Sequence, residues 1–279
     1  MGNNNLLLEN MQHVLLDMLK WFHEQCIGNH LRYYVVGGTM LGAVRHNGFI
    51  PWDDDIDVAM PRKDYEEFIK IFSKRNGRYH VESPNDDNKE YTYLYAKVYD
   101  TQTTLVEHQR TEIKRGVYID VFPLDGIGNS YDDACLNFRK IFRSIRLHDM
   151  SVCAFRKNRK WYKNLSIILG RMICPIFVSE RKLSKSIRQM SIARDFDQFE
   201  YVGNLVGNWG VKEIILRKYL GTPTLYAFEG IEVYGPEDYE NYLTSIYGNW
   251  RQLPPKEKQI SHHDFVSLDL NKSYVEINK

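Results

Sequence analysis

Residues 33 to 60, YYVVGGTMLGAVRHNGFIPWDDDIDVAM, decide the fold of this chain. An apolar strand at 33–36 ends at a glycine turn, and residues 40–45 can form a short helix. Glycines let the backbone approach a ligand closely, and the start of a helix offers free N–H groups and a positive dipole end to a phosphate. We therefore expect the turn to contact phosphate groups through Gly37, Gly38 and Thr39.

The second half of this stretch is predicted to be a strand that carries acids. Asp55 and Asp57 alternate with Ile56 and Val58, which places both carboxylates on one face and the apolar pair toward a core. Carboxylates this close repel one another and lose hydration on burial, and a hard divalent cation between them relieves both effects. The pattern predicts a Mg²⁺ site, with Mn²⁺ as the alternative ion.

Three better-known motifs do not fit this stretch. A P-loop needs Lys and Ser or Thr after its second glycine, but Gly42 is followed by Ala43, and the dinucleotide fingerprint GxGxxG does not occur. An EF-hand loop fails because its sixth position is Val58 and its twelfth is Asp64. An acidic turn exposed to solvent remains an alternative. The alternation of acids with apolar residues and the preceding glycine turn both argue against it.

A third acid lies further along the chain, in GVYIDVFPLDGI at 116–127. The run around Asp120 favours a strand, and an aspartate inside such a strand is costly to bury without a partner. Asp120 is therefore predicted to join the cation site. Asp125 follows Pro123, and aspartate often caps its own backbone in turns, so a turn is the favoured prediction there.

The two segments GGTMLGAVRHNGFIPWDDDIDVAM and YIDVFPLDG resemble the LicD family, relatives of fukutin within the nucleotidyltransferase-fold superfamily. The resemblance spans nearly the whole chain and is densest before residue 126. It implies an α+β fold, in which a nucleotidyltransferase-like mixed β-sheet is flanked by helices. It also implies an acid-x-acid strand and a third acid on a later strand, which correspond to Asp55, Asp57 and Asp120 as catalytic residues and metal ligands.

The family resemblance implies a phosphotransferase reaction. A phosphorylated alcohol, typically phosphocholine from CDP-choline, would pass to a hydroxyl of a cell-surface glycan of the teichoic acid or lipopolysaccharide type, and the acceptor could be lipid-linked. Two alternatives are a nucleotidyltransferase that moves NMP from an NTP to a small acceptor, and a non-catalytic binding module of the same fold. The first would use the same acids, whereas the second would be expected to lack one of them.

Two basic residues are predicted to bind the substrate. Arg45 lies one helical turn beyond the glycines and is assigned to the phosphates, with pairing to Asp53 or Asp54 as the alternative. Lys97 lies with Asp100 in a region of alternating strands and resembles a family position. Its alternative is a charge on the solvent face of a strand.

The chain of 279 residues is 43% hydrophobic, which suits one globular domain or a core with an appended helical part. We expect a nucleotidyltransferase-like catalytic core at 1–134. Residues 135–279 are predicted to form a helical, basic C-terminal part that completes the substrate cleft without folding independently. Apolar residues at helical spacing predict an amphipathic helix at 6–26 that covers the sheet.

Charge is unevenly distributed, although the formal net charge is only +1. Residues 139–194 hold fifteen Lys or Arg against Asp149 and Glu180, a net +13. Helices of this kind can lie on an anionic membrane or bind an anionic polymer, and a solvated face over a core stripe is the alternative. The apolar run at 165–178 is shorter than the ~20 residues of a membrane span. We expect peripheral contact with the inner membrane face and no nucleic-acid partner.

Cysteine usage and the N-terminus predict a cytoplasmic protein. The four cysteines are far apart without a CxxC pair, which suits free thiols in a reducing compartment. No secretory signal pattern is present at the start of the sequence. His262 and His263 are adjacent and would point apart in a strand, so supporting or surface roles are favoured over a shared metal.

Overall fold

The computed structural model describes residues 2–84, 91–107, 113–152, 161–162, 165, 168, 180–207, 209–261 and 265–277. The predictions about His262, His263, Cys153 and Cys174 lie outside these residues. Within them, Cys26 and Cys135 are free thiols.

The elements alternate between helices and short strands. The α-helices are α1 Gly2–Gly28, α2 Gly37–His46, α3 Arg62–Phe72, α4 Tyr131–Val152, α5 Glu180–Ile192, α6 Arg217–Leu220, α7 Tyr239–Tyr247 and α8 Tyr274–Ile277. The strands are β1 Tyr34–Val35, β2 Asp57–Pro61, β3 Tyr79–Glu82, β4 Ala96–Asp100, β5 Thr104–Glu107, β6 Ile113–Arg115, β7 Tyr118–Gly128, β8 Tyr201–Gly203, β9 Ile215–Leu216, β10 Thr224–Phe228, β11 Ile231–Gly235 and β12 Phe265–Asp269.

The main sheet has the order β1-β2-β7-β4-β3, and β8 and β9 extend it from β7. Strands β2 and β7 are parallel, whereas the other pairs are antiparallel. A smaller sheet has the order β12-β5-β6, and β10 pairs with β11 in an antiparallel hairpin. This mixed architecture fits the predicted α+β class. The largely helical C-terminal half is not confirmed, because strands β8 to β12 lie there beside the helices.

Strand β7 is central and changes partners along its length. Its pairing with β4 ends at Val121, and its pairing with β8 begins at Asp125. Pro123, which has no N–H to donate, falls between these two pairings. The predicted turn at Asp125 is therefore wrong: the residue is fully buried in β7, and its carboxylate accepts hydrogen bonds of 2.7 Å from both Nε and Nη2 of Arg62.

Helices α1 and α3 cover one face of the sheet, and the apolar spacing at 6–26 predicts this position for α1. Leu15 and Phe22 of α1 are fully buried, and the Phe22 ring lies 5.1 Å from that of Phe68 in α3. Ile56 and Val58 are also fully buried, as the alternation at the aspartate strand predicts. Burial of each such side chain contributes roughly 1.5–3 kcal/mol, so this cluster fixes the position of β2.

A second apolar cluster joins α4 and α5 to the end of β7. Ile141 and Ile145 of α4 lie one turn apart and pack with Leu183 and Ile187 of α5. Both helices fall in the basic segment 139–194, where helices are predicted. No helix in the described part of the chain combines the length and the apolar character that a bilayer crossing requires.

Candidate active site

The glycine turn lies against two aspartates at the start of α2. Gly37 has φ +55°, a left-handed conformation that favours glycine, and a Cβ there would lie 3.1 Å from Oδ2 of Asp57. A Cβ at Gly38 would lie 2.8 Å from Oδ2 of Asp53. The two carboxylates therefore lie beside the positive end of the helix, where negative charge is stabilised.

Backbone hydrogen bonds fix the aspartate strand to this turn. The N–H of Asp57 donates to Oγ1 of Thr39 over 2.9 Å, and the N–H of Val36 donates to the carbonyl of Asp57 over 3.0 Å. On the other side, Asp57 is in register with Asp120 across the parallel β2–β7 pair. Thr39, Asp57 and Asp120, which come from distant parts of the sequence, are therefore neighbours in the fold. Asp55 precedes the first residue of β2 and does not belong to the strand.

The Asp57 carboxylate lies in an acidic environment. Loss of hydration raises the pKa of Asp57 well above its ordinary value, and the charges of Asp55, Asp120 and Asp53 raise it further. Each of these effects disfavours the ionised form of the group. A cation at this place would reverse that preference, because opposite charge favours the carboxylate.

Lys97 lies beside Asp120, with its ammonium 2.9 Å from Oδ1 of that carboxylate. The two residues are opposite each other in the β4–β7 register. The ammonium also lies 3.2 Å from the ring centroid of Tyr118 and 4.2 Å from that of Tyr93. Lys97 is 1% exposed and Asp100 is fully buried, so their alternative placement on a solvent face is wrong.

The C-terminal part supplies further groups that the sequence patterns did not assign to the site. The N–H of Gly37 donates to the hydroxyl of Tyr242 over 3.1 Å, and the hydroxyl of Tyr247 would lie 3.8 Å from a Cβ at Gly37. Glu213 is close enough to raise the pKa of Asp57, and burial raises its own pKa to about 7. Tyr242 and Tyr247 belong to a C-terminal segment that resembles the family, but that resemblance assigned them no role. Glu213 lies more than a hundred residues from the motif, and no local pattern links it to the acids.

Arg45 lies near the end of α2 and not at its start beside the glycines. Its Nη1 donates to the carbonyl of Trp250 over 2.9 Å. Burial lowers its pKa, while the nearby Tyr247 hydroxyl has the opposite effect. The guanidinium thus anchors the C-terminal part to the helix, and its role toward phosphate stays a prediction.

The carboxylates also supply a set of oxygen donors. Among the residues that the structure describes, Asp53, Asp54 and Asp55 each offer an oxygen, and these oxygens all lie within 4.8 Å of one another. Only Asp55 of this group was predicted, although the DDD run was visible in the sequence. Carboxylate oxygens suit Mg²⁺ and Mn²⁺, and the crowding around Asp57 is the environment that such an ion stabilises. The residues therefore fit a divalent cation.

The chain is similar to known proteins along most of its length. A sequence profile described as "LicD/FKTN/FKRP, nucleotidyltransferase domain" matches residues 30–159. The lipopolysaccharide cholinephosphotransferase LicD of Haemophilus influenzae is 32% identical over 262 residues, which cover 92% of this chain and 96% of that protein. An uncharacterized protein of Rickettsia typhi is 42% identical over 57 residues, 20% of this chain and 18% of its own length.

The chain belongs to the LicD family. The identity extends along almost the whole of both chains, so the membership does not rest on the aspartate motif alone. The profile match contains the glycine turn, the acids at 53–57 and Asp120, and the resemblance deduced from those residues is confirmed.

Proposed function

We propose that this protein transfers phosphocholine from CDP-choline to a hydroxyl of a cell-surface glycan of the lipopolysaccharide or teichoic acid type, with the help of a divalent metal ion. The similarity to a lipopolysaccharide cholinephosphotransferase over 92% of the chain supports the reaction class. The single structural observation that carries the proposal is the register of Asp57 with Asp120 beside the glycine turn.

The cation would be held by Asp55, Asp57 and Asp120, with Asp53 close to the same point. Mg²⁺ or Mn²⁺ bound there would neutralise the diphosphate and lower the pKa of the acceptor hydroxyl. The chain prepares this site by fixing the Asp57 backbone on Thr39 and by placing Asp120 on the next strand. Such preorganisation avoids a reorganisation cost during the reaction.

The reaction itself is a displacement at phosphorus. The oxygen of the glycan hydroxyl attacks the phosphorus that bears choline, a new O–P bond forms, and the bond from that phosphorus to the CMP oxygen breaks. CMP leaves with the electron pair, and the hydroxyl proton passes to Asp120. The ammonium of Lys97 lies 2.9 Å from Oδ1 of Asp120 and would hold that carboxylate in position.

The glycine turn is assigned to the phosphate groups of the donor. The hydroxyl oxygen of Thr39 already accepts the N–H of Asp57, so its own proton is available for a phosphate oxygen. Gly38 lies at the start of α2, where backbone N–H groups and the helix dipole favour an anion. Arg45 would contribute positive charge from the end of the same helix.

We also propose that residues 135–279 complete the cleft of the core at 1–134. Tyr242 binds the Gly37 backbone, and Tyr247 lies near it. Glu213 lies near enough to influence Asp57. A C-terminal part that touches the catalytic turn in this way would not fold apart from the core. The proposed location is the cytoplasmic face of the membrane, where a lipid-linked glycan acceptor would be presented.

Product analysis tests the proposal. The purified protein with Mg²⁺ is incubated with CDP-choline and a glycan acceptor, and in parallel with each NTP and the same acceptor, and the products are followed by ³¹P NMR. The proposal predicts CMP in the first reaction and no pyrophosphate in the second. Pyrophosphate from an NTP, without CMP from CDP-choline, would instead identify a nucleotidyltransferase.

A further inference from the structure

Four large apolar side chains are exposed at helical positions within the basic segment 139–194. Residues Trp161, Tyr162, Leu165 and Ile168 are helical, and their exposed fractions are 75%, 50%, 43% and 43%. We call this group the Trp161 face. Tryptophan is highly buried on average, because removal of its large ring from water is favourable. A tryptophan this exposed therefore indicates a contact surface.

The four side chains form one continuous surface. Trp161, Leu165 and Ile168 are spaced by four and three residues, which places them within an arc of about 60° on a helix of 3.6 residues per turn. The Tyr162 ring flanks them, with its centroid 6.3 Å from that of Trp161 and the two ring planes at 84°. Contiguous exposed apolar groups of this kind mark sites of contact with another protein or with a membrane.

The sequence around the Trp161 face is strongly basic. Residues 156–163, RKNRKWYK, contain five Lys or Arg, and residues 150–179 contain six Lys or Arg and no acid. An amphipathic helix that is rich in Lys and Arg, with Trp and Leu on its apolar side, is typical of helices that lie in the interface of a membrane. Basic clusters of this size also favour anionic lipid headgroups. The charge and the apolar surface therefore indicate the same partner.

Two other occupants fit this surface less well. A soluble anionic polymer would neutralise the basic groups but leave the apolar side chains of the Trp161 face in water. A second copy of this chain would cover those side chains but bring two basic segments together, and like charges repel. An anionic bilayer meets both requirements, because its headgroups are negative and its acyl chains are apolar. Trp and Tyr are also the side chains that favour the boundary between these two regions.

We propose that the Trp161 face inserts into the interface of an anionic membrane and anchors the protein there. The inference rests on the proposed function through its membrane location, and it does not depend on the identity of the donor. Attraction between basic groups and lipid acts over a Debye length of ~10 Å and weakens with salt, whereas apolar burial acts on contact. The basic groups would therefore bring the protein to the surface, and the Trp161 face would hold it there.

Tryptophan fluorescence tests insertion directly. The wild type and Trp161→Phe are mixed with vesicles of phosphatidylglycerol or of phosphatidylcholine, without donor or metal. The emission of the wild type should shift to shorter wavelength with phosphatidylglycerol, and it should be quenched by lipids that carry bromine on their acyl chains. Both changes should be largely lost in Trp161→Phe, because the other tryptophans are common to the two proteins.

A matched pair of double variants tests the contribution of the aliphatic side chains. The first combines Leu165→Gln with Ile168→Gln. The control combines Leu225→Gln with Leu253→Gln, because these leucines are 45% and 51% exposed and lie outside the basic segment. The partition coefficient onto phosphatidylglycerol vesicles should fall by roughly tenfold or more in the first variant and stay unchanged in the control. All four positions are exposed, so both variants should unfold at about the same denaturant concentration as the wild type.

Three results would overturn the inference. The first is sedimentation with phosphatidylglycerol vesicles that is unchanged in Leu165→Gln with Ile168→Gln and occurs without quenching by brominated lipid, which would leave membrane contact to the basic groups alone. The second is an equal emission shift with soluble polyphosphate, which would assign the segment to an anionic polymer. The third is an emission shift that depends on protein concentration in the absence of vesicles, which would assign the face to a second copy of the chain.

The reaction is measured separately, as release of CMP from CDP-choline with Mg²⁺ and a water-soluble glycan acceptor. A protein that releases CMP, but whose Trp161 stays in water in the presence of vesicles, overturns the insertion of the Trp161 face and leaves the proposed reaction standing. A protein that inserts Trp161 into vesicles but releases no CMP supports this inference and overturns the proposed reaction.

Discussion

Lys97 and Asp120 form a buried ion pair of 2.9 Å between neighbouring strands of the central sheet. Asp57 occupies the equivalent position on the other side of Asp120. Asp120 therefore has a fixed counter-charge in Lys97, whereas Asp57 lies among other acids. The two aspartates should consequently respond differently to the same substitution.

Asp57→Asn should abolish turnover while leaving the metal-free protein as stable as the wild type or more stable. Burial and the charges of Asp55 and Asp120 disfavour the ionised form of Asp57, and a neutral amide removes that repulsion. Chemical denaturation in the presence of a chelator measures the stability, with the exposed Asp132→Asn as control. Near-native activity of Asp57→Asn with Mg²⁺ would show that the metal site is misassigned.

Asp120→Asn should also abolish turnover, but it should destabilise the fold by about 3 kcal/mol, because it leaves the buried ammonium of Lys97 without its counter-charge. The double variant Asp120→Asn with Lys97→Met should recover much of this loss while staying inactive. Equal stability of Asp120→Asn and the wild type would mean that the ion pair does not contribute to the native state.

Glu213 should make the stability of the metal-free protein depend on pH. Burial raises its pKa to about 7 from an ordinary value of 4.5, so the native state binds this proton before the unfolded state does. The free energy of unfolding should therefore rise as the pH falls from about 7 toward 4.5, and be lower above pH 7. Glu213→Gln should remove this contribution, on the order of 3 kcal/mol, and be the more stable protein at pH 8.

Denaturation curves from pH 5 to pH 8 measure that effect as the difference between the wild type and Glu213→Gln. The exposed Glu200→Gln is the matched control and should follow the wild type. Parallel curves for all three proteins would show that Glu213 ionises as freely in the native state as in the unfolded chain.

The glycine turn and the acids were predictable because they are contiguous in sequence and obey simple periodicities. A two-residue alternation predicts which side chains of a strand share a face, and Ile56 and Val58 are buried accordingly. The need of Asp120 for a partner was also predictable, since an acid within a strongly strand-forming run is costly to bury alone, and Lys97 lies 2.9 Å from it.

Other features depend on contacts that no local pattern encodes. The prediction for Asp125 failed because Arg62 compensates its charge, and the change of strand partner around Pro123 accommodates the missing N–H. The approach of Glu213 and Tyr242 to the turn is a product of tertiary packing. Sequence periodicity predicts helices, strands and the faces that they bury. It does not predict which distant side chain contacts a given carboxylate.

The basic face of the C-terminal helices should bind anionic membranes. Basic side chains of α4 and α5 are exposed, at Arg139, Lys140, Arg143, Arg146, Lys182 and Lys185, and Leu136 and Leu147 are exposed on α4 as well. Each basic group near an anionic surface contributes on the order of 1 kcal/mol, and the attraction decays within a Debye length of ~10 Å. Binding should therefore weaken steeply between low and moderate salt.

Co-sedimentation with anionic and with neutral vesicles across a salt series measures this binding. A variant with glutamine at the four basic α4 positions should sediment less with anionic vesicles and retain turnover of CDP-choline. Equal sedimentation with both lipids, or none at low salt, would assign this face to the acceptor or to the fold instead of the membrane.

The most direct test of the central claim is the mass of the acceptor glycan after incubation with CDP-choline, Mg²⁺ and the protein. We predict that the glycan gains one phosphocholine group with the wild type, and that it stays unmodified with Asp57→Asn or when the metal is chelated. A glycan that gains a nucleotide, or one that gains phosphocholine equally well with Asp57→Asn, would contradict it.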